Sequence, residues 1–402
     1  MAEFTHLAHI DAVVWPDVVT VPLDGLFPAR RARSAEQQFA RACAQAELPL
    51  GMDGALTVHH DAVFYRIAAR GWLGLAEGFM AGEWTAPDLA SVLSGLLGAV
   101  YRPQRNPSVR AEVLAEPAGI PRRLCELTSP TSSLMVGMFA GGVSTTVGPR
   151  TVVTAPGEVT RTDVADSQER AADTLLDGAA VRSSDSVVEL TLGAPLLASQ
   201  ATARGARVDV VSPDPAVIGW INTMDLPGIT VRRIPSPVPD GGLYPRRISA
   251  LVGADYMAML SANQRAALFR FADMELAPVG RMAFQEFTRT DSPLIDHALT
   301  ASRHYLLPSF NPVTGEEAMA KLAGGTTRIA LAHSTQFAGH IVPTLAVMRD
   351  QFLGVQTLAG AEGFDPVYRR LWLWHLSTLM ALAKQRLLGI SQFVFRPLAA
   401  PR

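Results

Sequence analysis

Lysine is nearly absent from this chain. Of 35 basic residues only Lys321 and Lys384 are lysines, a bias of genome composition more than of mechanism. Cysteine is as scarce. Cys43 and Cys125 are too few and too far apart for a disulfide framework or a zinc site, and a reducing cytoplasm fits that scarcity. Net charge is missing too. The 35 basic and 37 acidic residues leave −2, so no bulk field draws the chain to nucleic acid. No apolar run reaches about 18 residues, so no spanning helix is expected. The nearest, "SLMVGMFAGGV" at 133–143, is too short. The start, "MAEFTHLAHIDAVVWPDVV", carries acids and no basic n-region, and does not read as a signal peptide. The expectation is a cytoplasmic protein, with association at the inner membrane face left open.

What is present is apolar mass: 48% of 402 residues are hydrophobic, enough for two cored domains. Residues 1–130 read as a small α-rich N-terminal domain. Residues 131–165 read as a linker through the Gly-rich "FAGGVSTTVG" at 139–148, and 166–402 as an α/β domain with a helical C-terminal lid. In the first, "SAEQQFARACAQA" (34–46) predicts a helix with Ser34 as N-cap and Gln37 completing a capping box. Residues 55–71 predict a strand followed by a helix or second strand. Residues 71–98 predict two helices, the second capped by Thr85 with Pro87 in its first turn. From 186 onward strand and helix signals alternate. Strands are expected at 187–190, 207–211, 229–234, 248–252, 282–287, 304–307, 327–332 and 391–395. Helices are expected at 195–204, 214–223, 261–276, 293–301, 315–322, 338–359 and 366–388. Such alternation implies a mostly parallel sheet covered on both faces.

Four stretches, in order, resemble the cyclopropane-fatty-acyl-phospholipid synthase family, which includes mycolic acid and fatty-acid C-methyltransferases. "GWLGLAEGFMAGEWTAPDLASVL" (71–93) resembles the family's "GLGEaYMdGeWd…DL". "ADMELAPVGRMAFQEF" (272–287) resembles its "vdrlLkPgGrfvlQtI", and "HYLLPSFNP" (304–312) its "YiFPnG.LPs". Residues 344–395 resemble its terminal "tL..WrerF" and "RmW.fYL" segment. The resemblance implies a class I methyltransferase-like, Rossmann-type sheet of seven strands and S-adenosylmethionine as cofactor. It also implies a phospholipid acyl chain at the membrane surface as substrate. In the family an alkene attacks the methylsulfonium and a bound bicarbonate takes the proton from the resulting cation, in a dry apolar pocket.

The site motifs depart from that pattern. Where the family has "lDiGcGwGg" this chain has "VVELTLGAPLLA", with Glu189 in place of the Asp, Gly193 matching one glycine, and Leu192, Ala194, Pro195 and Leu196 at small or flexible positions. Each added Cβ is expected to crowd the cofactor, and Pro195 removes a donor. Ser212 stands where the family has "tlS.eQ"; for Ser212 and Asp214 helix capping is the plainer alternative to ligand contact. Asp255 and Tyr256 replace the family's Glu–His pair and could hold an anion or relay a proton, or form a plain polar turn. His340 neighbours the position of a family Tyr and reads as a replacement ligand or a helix-start residue. His59, His60, Asp61 and His333 lack metal-site spacing, so no metal is expected. "PARRAR" (28–33) could meet anionic headgroups or form a solvated face.

Two functions follow. One is transfer of a methyl or methylene from S-adenosylmethionine to an unsaturated acyl chain. The other is a non-catalytic paralogue that binds acyl lipid and pairs with an active methyltransferase or with itself.

Overall fold

The computed structural model describes residues 4–24, 26–51, 53–103, 119–224, 226–325 and 327–398. Contacts divide the chain into two compact units, and neither is a continuous block of the kind expected at 1–130 and 166–402. One gathers Met1–Val113, Ser292–Leu306 and Val355–Leu387; the other holds Leu114–Asp291, Leu307–Gly354 and Leu388–Arg402.

The first unit is helical, with β1 (Thr57–Val58) and β2 (Trp84–Thr85) as a short antiparallel pair. Its long helix runs Pro28–Gln45. Pro28 at the first helical position starts it, so Ser34, expected as the cap, lies inside the helix. Thr85 likewise ends β2, paired with Thr57. The cap of the next helix, Leu89–Gly98, is Asp88, whose carboxylate accepts from the Ser91 N–H at 3.1 Å. The signature "GLAEGFMAGEW" works as helix packing. A Cβ on Gly74 would stand 2.1 Å from the Arg66 carbonyl oxygen, so helix Trp72–Ala81 lies directly on helix Ala62–Arg70. Trp84, Phe79 and Trp374 of helix Pro366–Lys384 form a buried aromatic triangle with centroids 5.3–6.2 Å apart. Residues 304–307, expected as a strand, belong instead to helix Thr300–Tyr305 and its end. Packing overrides propensity here: Ser302 is buried, with its hydroxyl 2.9 Å from His375 Nδ1.

Both glutamates of that signature are buried and paired. Arg66 is fully buried and its Nε lies 2.9 Å from both carboxylate oxygens of Glu83. Its other nitrogens donate to the carbonyls of Asp17, Val18 and Thr20 at the end of helix Pro16–Val19, where helical carbonyls lack partners. Glu77 takes Arg70 at 2.6 Å and the Tyr305 hydroxyl at 2.9 Å.

The second unit is built on one sheet. Its strands are β3 (Ser144–Val147), β4 (Arg150–Val153), β5 (Ser186–Leu190), β6 (Arg207–Ser212), β7 (Ile229–Arg233) and β8 (Ile248–Ala254). They continue with β9 (Leu276–Arg289), β10 (Val313–Thr314), β11 (Ile329–Gln336) and β12 (Leu388–Pro397). The order is β3-β4-β11-β12-β9-β8-β5-β6-β7, with β10 added on β9. Strands β7, β6, β5, β8 and β9 are mutually parallel, and β12 runs antiparallel between β9 and β11. This is the expected seven-stranded methyltransferase sheet. The stretch expected as linker extends it, because β3 and β4 form a hairpin and β4 pairs with β11. The cause is sequence alternation: "STTV" and "RTVV" are strand-forming runs joined by Gly148 at positive φ. Valines and leucines of β5 and β8 are buried on both faces, as a covered parallel sheet requires.

Replacing Glu83 by Gln leaves the Arg66 charge buried without its counter-charge. A loss of about 3–5 kcal/mol in unfolding free energy is expected, measured by urea denaturation. A loss under about 1 kcal/mol would show that the backbone carbonyls alone satisfy the guanidinium.

Candidate functional site

The chain runs outward from β5 through β6 to β7, then returns to the other side of β5 as β8 and β9. Strand order therefore reverses at β5, and the loops after β5 and β8 part company at their carboxyl ends. In open parallel sheets that parting is where ligands sit. Residues after β5, β6, β8 and β9 border it.

The turn after β5 is organised by two side chains. Thr191 Oγ1 accepts the Gly193 N–H at 3.1 Å. Glu189, near the end of β5, reaches forward and accepts the Ala198 N–H at 2.6 Å in the first turn of helix Leu196–Ala203. Pro195 supplies no side-chain cap to that helix, so Glu189 does the capping from the strand. Burial pushes its carboxyl up to about 8. The crowding expected from Leu192 and Pro195 is not found. Leu192 packs into the core cluster beneath the sheet end, Pro195 is buried, and a Cβ on Gly193 would meet nothing within 4 Å. The bulk turned inward because the core offered it apolar partners.

After β6, Ser212 is fully buried and its hydroxyl accepts the Asp214 N–H at 3.2 Å. Asp214 caps helix Pro215–Asn222 through the Ala216 N–H at 2.8 Å. Its second oxygen accepts the Gly119 N–H at 2.9 Å. Gly119 sits so tightly that a Cβ would stand 2.3 Å from the Leu192 carbonyl oxygen. The chain at 119 thus passes over the ends of β5 and β6.

After β8 the backbone turns sharply, and Asp255 adopts a left-handed φ of 54°. Its carboxyl accepts the Phe287 N–H, while Oδ1 is buried without a hydrogen-bond partner among the described residues. Burial lifts this carboxyl to about 7. Beside it on β9 stands Glu286, fully buried, accepting the Met257 N–H at 2.7 Å and the Ala258 N–H at 3.0 Å. Burial first, and the Asp255 charge second, hold Glu286 well above the usual carboxylate range. Arg265 of helix Ala262–Glu275 donates to the Met257 carbonyl at 2.8 Å and to the Asn311 carbonyl at 2.5 Å, fastening the same loop.

Of the residues singled out in the sequence, the structure brings Asp255 to a second carboxylate, not to Tyr256. Tyr256 points into the core and donates to the Pro237 carbonyl at 2.6 Å. His340 is a clamp: its Nδ1 accepts the Phe139 N–H at 3.0 Å, so Nε2 carries the proton and donates to the Thr154 carbonyl at 2.9 Å. Burial lowers its pKa and the ring stacks on Phe139. Glu286 was missed in the sequence. Its signal was an acid inside the apolar run "MAFQEF", where a buried strand has no solvent to hold a charge.

No family model matches the chain. Tuberculostearic acid methyltransferase UfaA1 of Mycobacterium tuberculosis is 25% identical to it over 416 residues, covering 93% of each chain. The cyclopropane synthase MmaA2 of Mycobacterium tuberculosis superposes with a TM-score of 0.55 at 15% identity, over 68% of this chain and 93% of that one. The mycolic acid cyclopropane synthase CmaA1, solved with S-adenosylhomocysteine, gives 0.56 at 12% identity over the same shares. The chain is similar to a fatty-acid methyltransferase along nearly its whole length and shares the fold of the cyclopropane synthases. In this chain the stretch "GLAEGFMAGEW" is built into buried ion pairs and helix packing, while the turn after β5 leaves clear space at Gly193.

Because Glu189 has its folded pKa raised above the ordinary 4.5, its contribution to stability is fully present below about 4.5 and is lost as pH rises through about 8. The unfolding free energy of the wild type relative to Glu189→Gln should therefore fall across that window. Each pH unit of displacement corresponds to about 1.4 kcal/mol. Paired thermal melts at stepped pH read this, and a difference that stays flat would refute the capping carboxyl.

Proposed function

We propose that this protein transfers a one-carbon group from S-adenosylmethionine to an unsaturated fatty acyl chain of a phospholipid. The observation that carries the reading is the likeness to a fatty-acid methyltransferase over 93% of each chain, joined to a reversal of strand order at β5 whose first turn leaves clear space at Gly193.

The residues present fit the cofactor. The space a Cβ would enter at Gly193 is clear. Asp214 holds two N–H donors, and a carboxylate offers about four acceptor sites, so it keeps capacity for a sugar hydroxyl. Gly193 and the turn around it would lie against the donor's amino-acid end, with Asp214 at its ribose. When bound, the cofactor supplies an electrophilic methyl group. The chain's own part is to orient an alkene, exclude water and receive a proton. Bicarbonate, the family's proton acceptor, has no support in the residues described above.

One observation favours the second reading, a non-catalytic acyl-lipid binder that pairs with an active methyltransferase or a second copy of itself. The N–H groups of Gly193 and Ala198, which a cofactor carboxylate could use, are already taken by Thr191 and Glu189. Isothermal titration of the full chain with S-adenosylmethionine, followed by lipid analysis after incubation with unsaturated phospholipid, separates the two. Binding and a methylated, methylene-bearing or cyclopropane product are expected. No heat at millimolar cofactor would leave the second reading standing.

The substrate places the work at a lipid surface. Among the described residues no helix is long and apolar enough to cross a membrane. Leu26 and Phe27 are 83% and 70% exposed, and Phe27 is held at a φ of 57° just before a helix whose first turns expose Arg30, Arg31 and Arg33. Apolar side chains beside arginines suit an anionic bilayer, at about 1 kcal/mol per charge. Sedimentation with phosphatidylglycerol vesicles should pull the protein down, and Phe27→Asp should weaken that several-fold. Equal recovery of wild type and variant would refute this surface.

A further inference from the structure

We propose that Asp255 is the proton acceptor of this protein, and that Glu286 positions it by holding the loop that follows it. The inference rests on the methyl-transfer reading for its substrate, but its first support is geometric. Two carboxyls, from the ends of adjacent parallel strands β8 and β9, are buried side by side at the point where strand order reverses. They are not equivalent. Glu286 has both oxygens on backbone N–H groups and is fixed. Asp255 has one oxygen on the Phe287 N–H and leaves Oδ1 buried and unpartnered among the described residues.

A buried polar atom without a partner is costly and rarely kept without use. A non-glycine residue held at positive φ is another sign of a position constrained by more than local preference, although Asp tolerates it better than most. Both features fall on the same residue. The charged groups facing the pair are Arg265 from helix Ala262–Glu275 and, beyond it, Arg289 at the end of β9. Arg265 attracts the Glu286 charge but donates its hydrogen bonds to carbonyls, not to either carboxyl. Two neighbouring buried carboxyls cannot both ionise cheaply, so the pair holds one proton between them around neutrality. One member is then a base at working pH, and the one with a vacant lone pair is Asp255.

The chemistry balances. Once an alkene carbon has gained its methyl group, the neighbouring carbon is a cation. Either a C–H bond of the added methyl breaks and its electron pair closes a three-membered ring onto the cationic carbon, or a C–H bond on a carbon next to the cation breaks and its pair forms a carbon–carbon double bond; in both the proton bonds to Asp255 Oδ1. Asp255 ends as a neutral acid and resets by passing the proton to water. No external anion is needed as the base.

The test uses the full chain and two readouts. Infrared difference spectra across neutral pH should show a buried carboxylic acid losing its proton near pH 7 in the wild type, with that signal lost in Asp255→Asn and kept in Glu286→Gln. With S-adenosylmethionine and unsaturated phospholipid, Asp255→Asn should lose about a hundredfold or more in turnover while cofactor affinity stays within twofold. Asp255→Glu should recover part of the loss. Glu286→Gln should leave the acid limb of the pH profile in place, because Glu286 is already neutral when Asp255 ionises; a limb that moves with this variant would overturn the assignment of the base to Asp255. A wild-type spectrum without a titrating carboxyl, or an Asp255→Asn enzyme with unchanged turnover, overturns the proposal. If the wild type binds no cofactor, the methyl-transfer reading fails and the catalytic role falls with it. The infrared arm still decides whether the pair shares a proton, so the two failures are told apart. Thermal melts of each variant guard against loss of fold.

Discussion

Parallel strands that part at β5 impose a polar problem on an apolar sheet. Each strand ends with carbonyl groups and loop amides that the ladder no longer satisfies, and the helices covering both faces keep water away. The chain meets that problem with carboxyls. Glu189 takes an amide of the helix after β5, Asp214 takes amides from two segments after β6, and Glu286 takes two amides after β8. One chemical device, an acid accepting from backbone N–H groups, thus shapes the loops after β5, β6 and β8.

The same device explains why acids are burdened there. A carboxyl out of water favours its neutral form, and amide donors only partly offset the desolvation. Glu189 and Asp255 are both lifted toward neutrality. Burial lifts Glu83 of the helical unit as well, to about 7, although the Arg66 guanidinium offsets part of the effect. What sets that pair apart is its partners, a counter-charge on the acid and three backbone carbonyls on the base.

The centre of the sheet was legible because its strands carry runs of buried Val, Leu and Ile, so "SVVEL", "RVDVVS" and "ISALVGA" read as strands. The hairpin at 144–153 was not, because its glycines read as linker and its edge position leaves Val147 exposed. Helix Thr300–Tyr305 was hidden for the opposite reason: "HYLL" has strand-like residues, and only burial of Ser302 beside His375 makes it helical. Asp255 stood out as an acid at a strand end. Tyr256 and His340 stood out as well, yet their polar atoms are spent on the Pro237 and Thr154 carbonyls. Sequence shows which side chains have chemistry, and only packing shows which of them already have partners.

Leu192 and Pro195 sharpen the point. Bulk at a cofactor turn looks like obstruction when read on a line of letters. In three dimensions a leucine there can turn into the core, and a proline before a helix has no amide to lose that the helix would have used. What has changed after β5 is therefore the ownership of donors. Thr191 and Glu189 now hold the amides of Gly193 and Ala198. A ligand entering here must compete for those hydrogen bonds, and exchanging one bond for another yields little net free energy. The turn's space and its hydrogen-bonding capacity are separate properties, so clear space at Gly193 and a weak grip on a ligand can coexist in one turn.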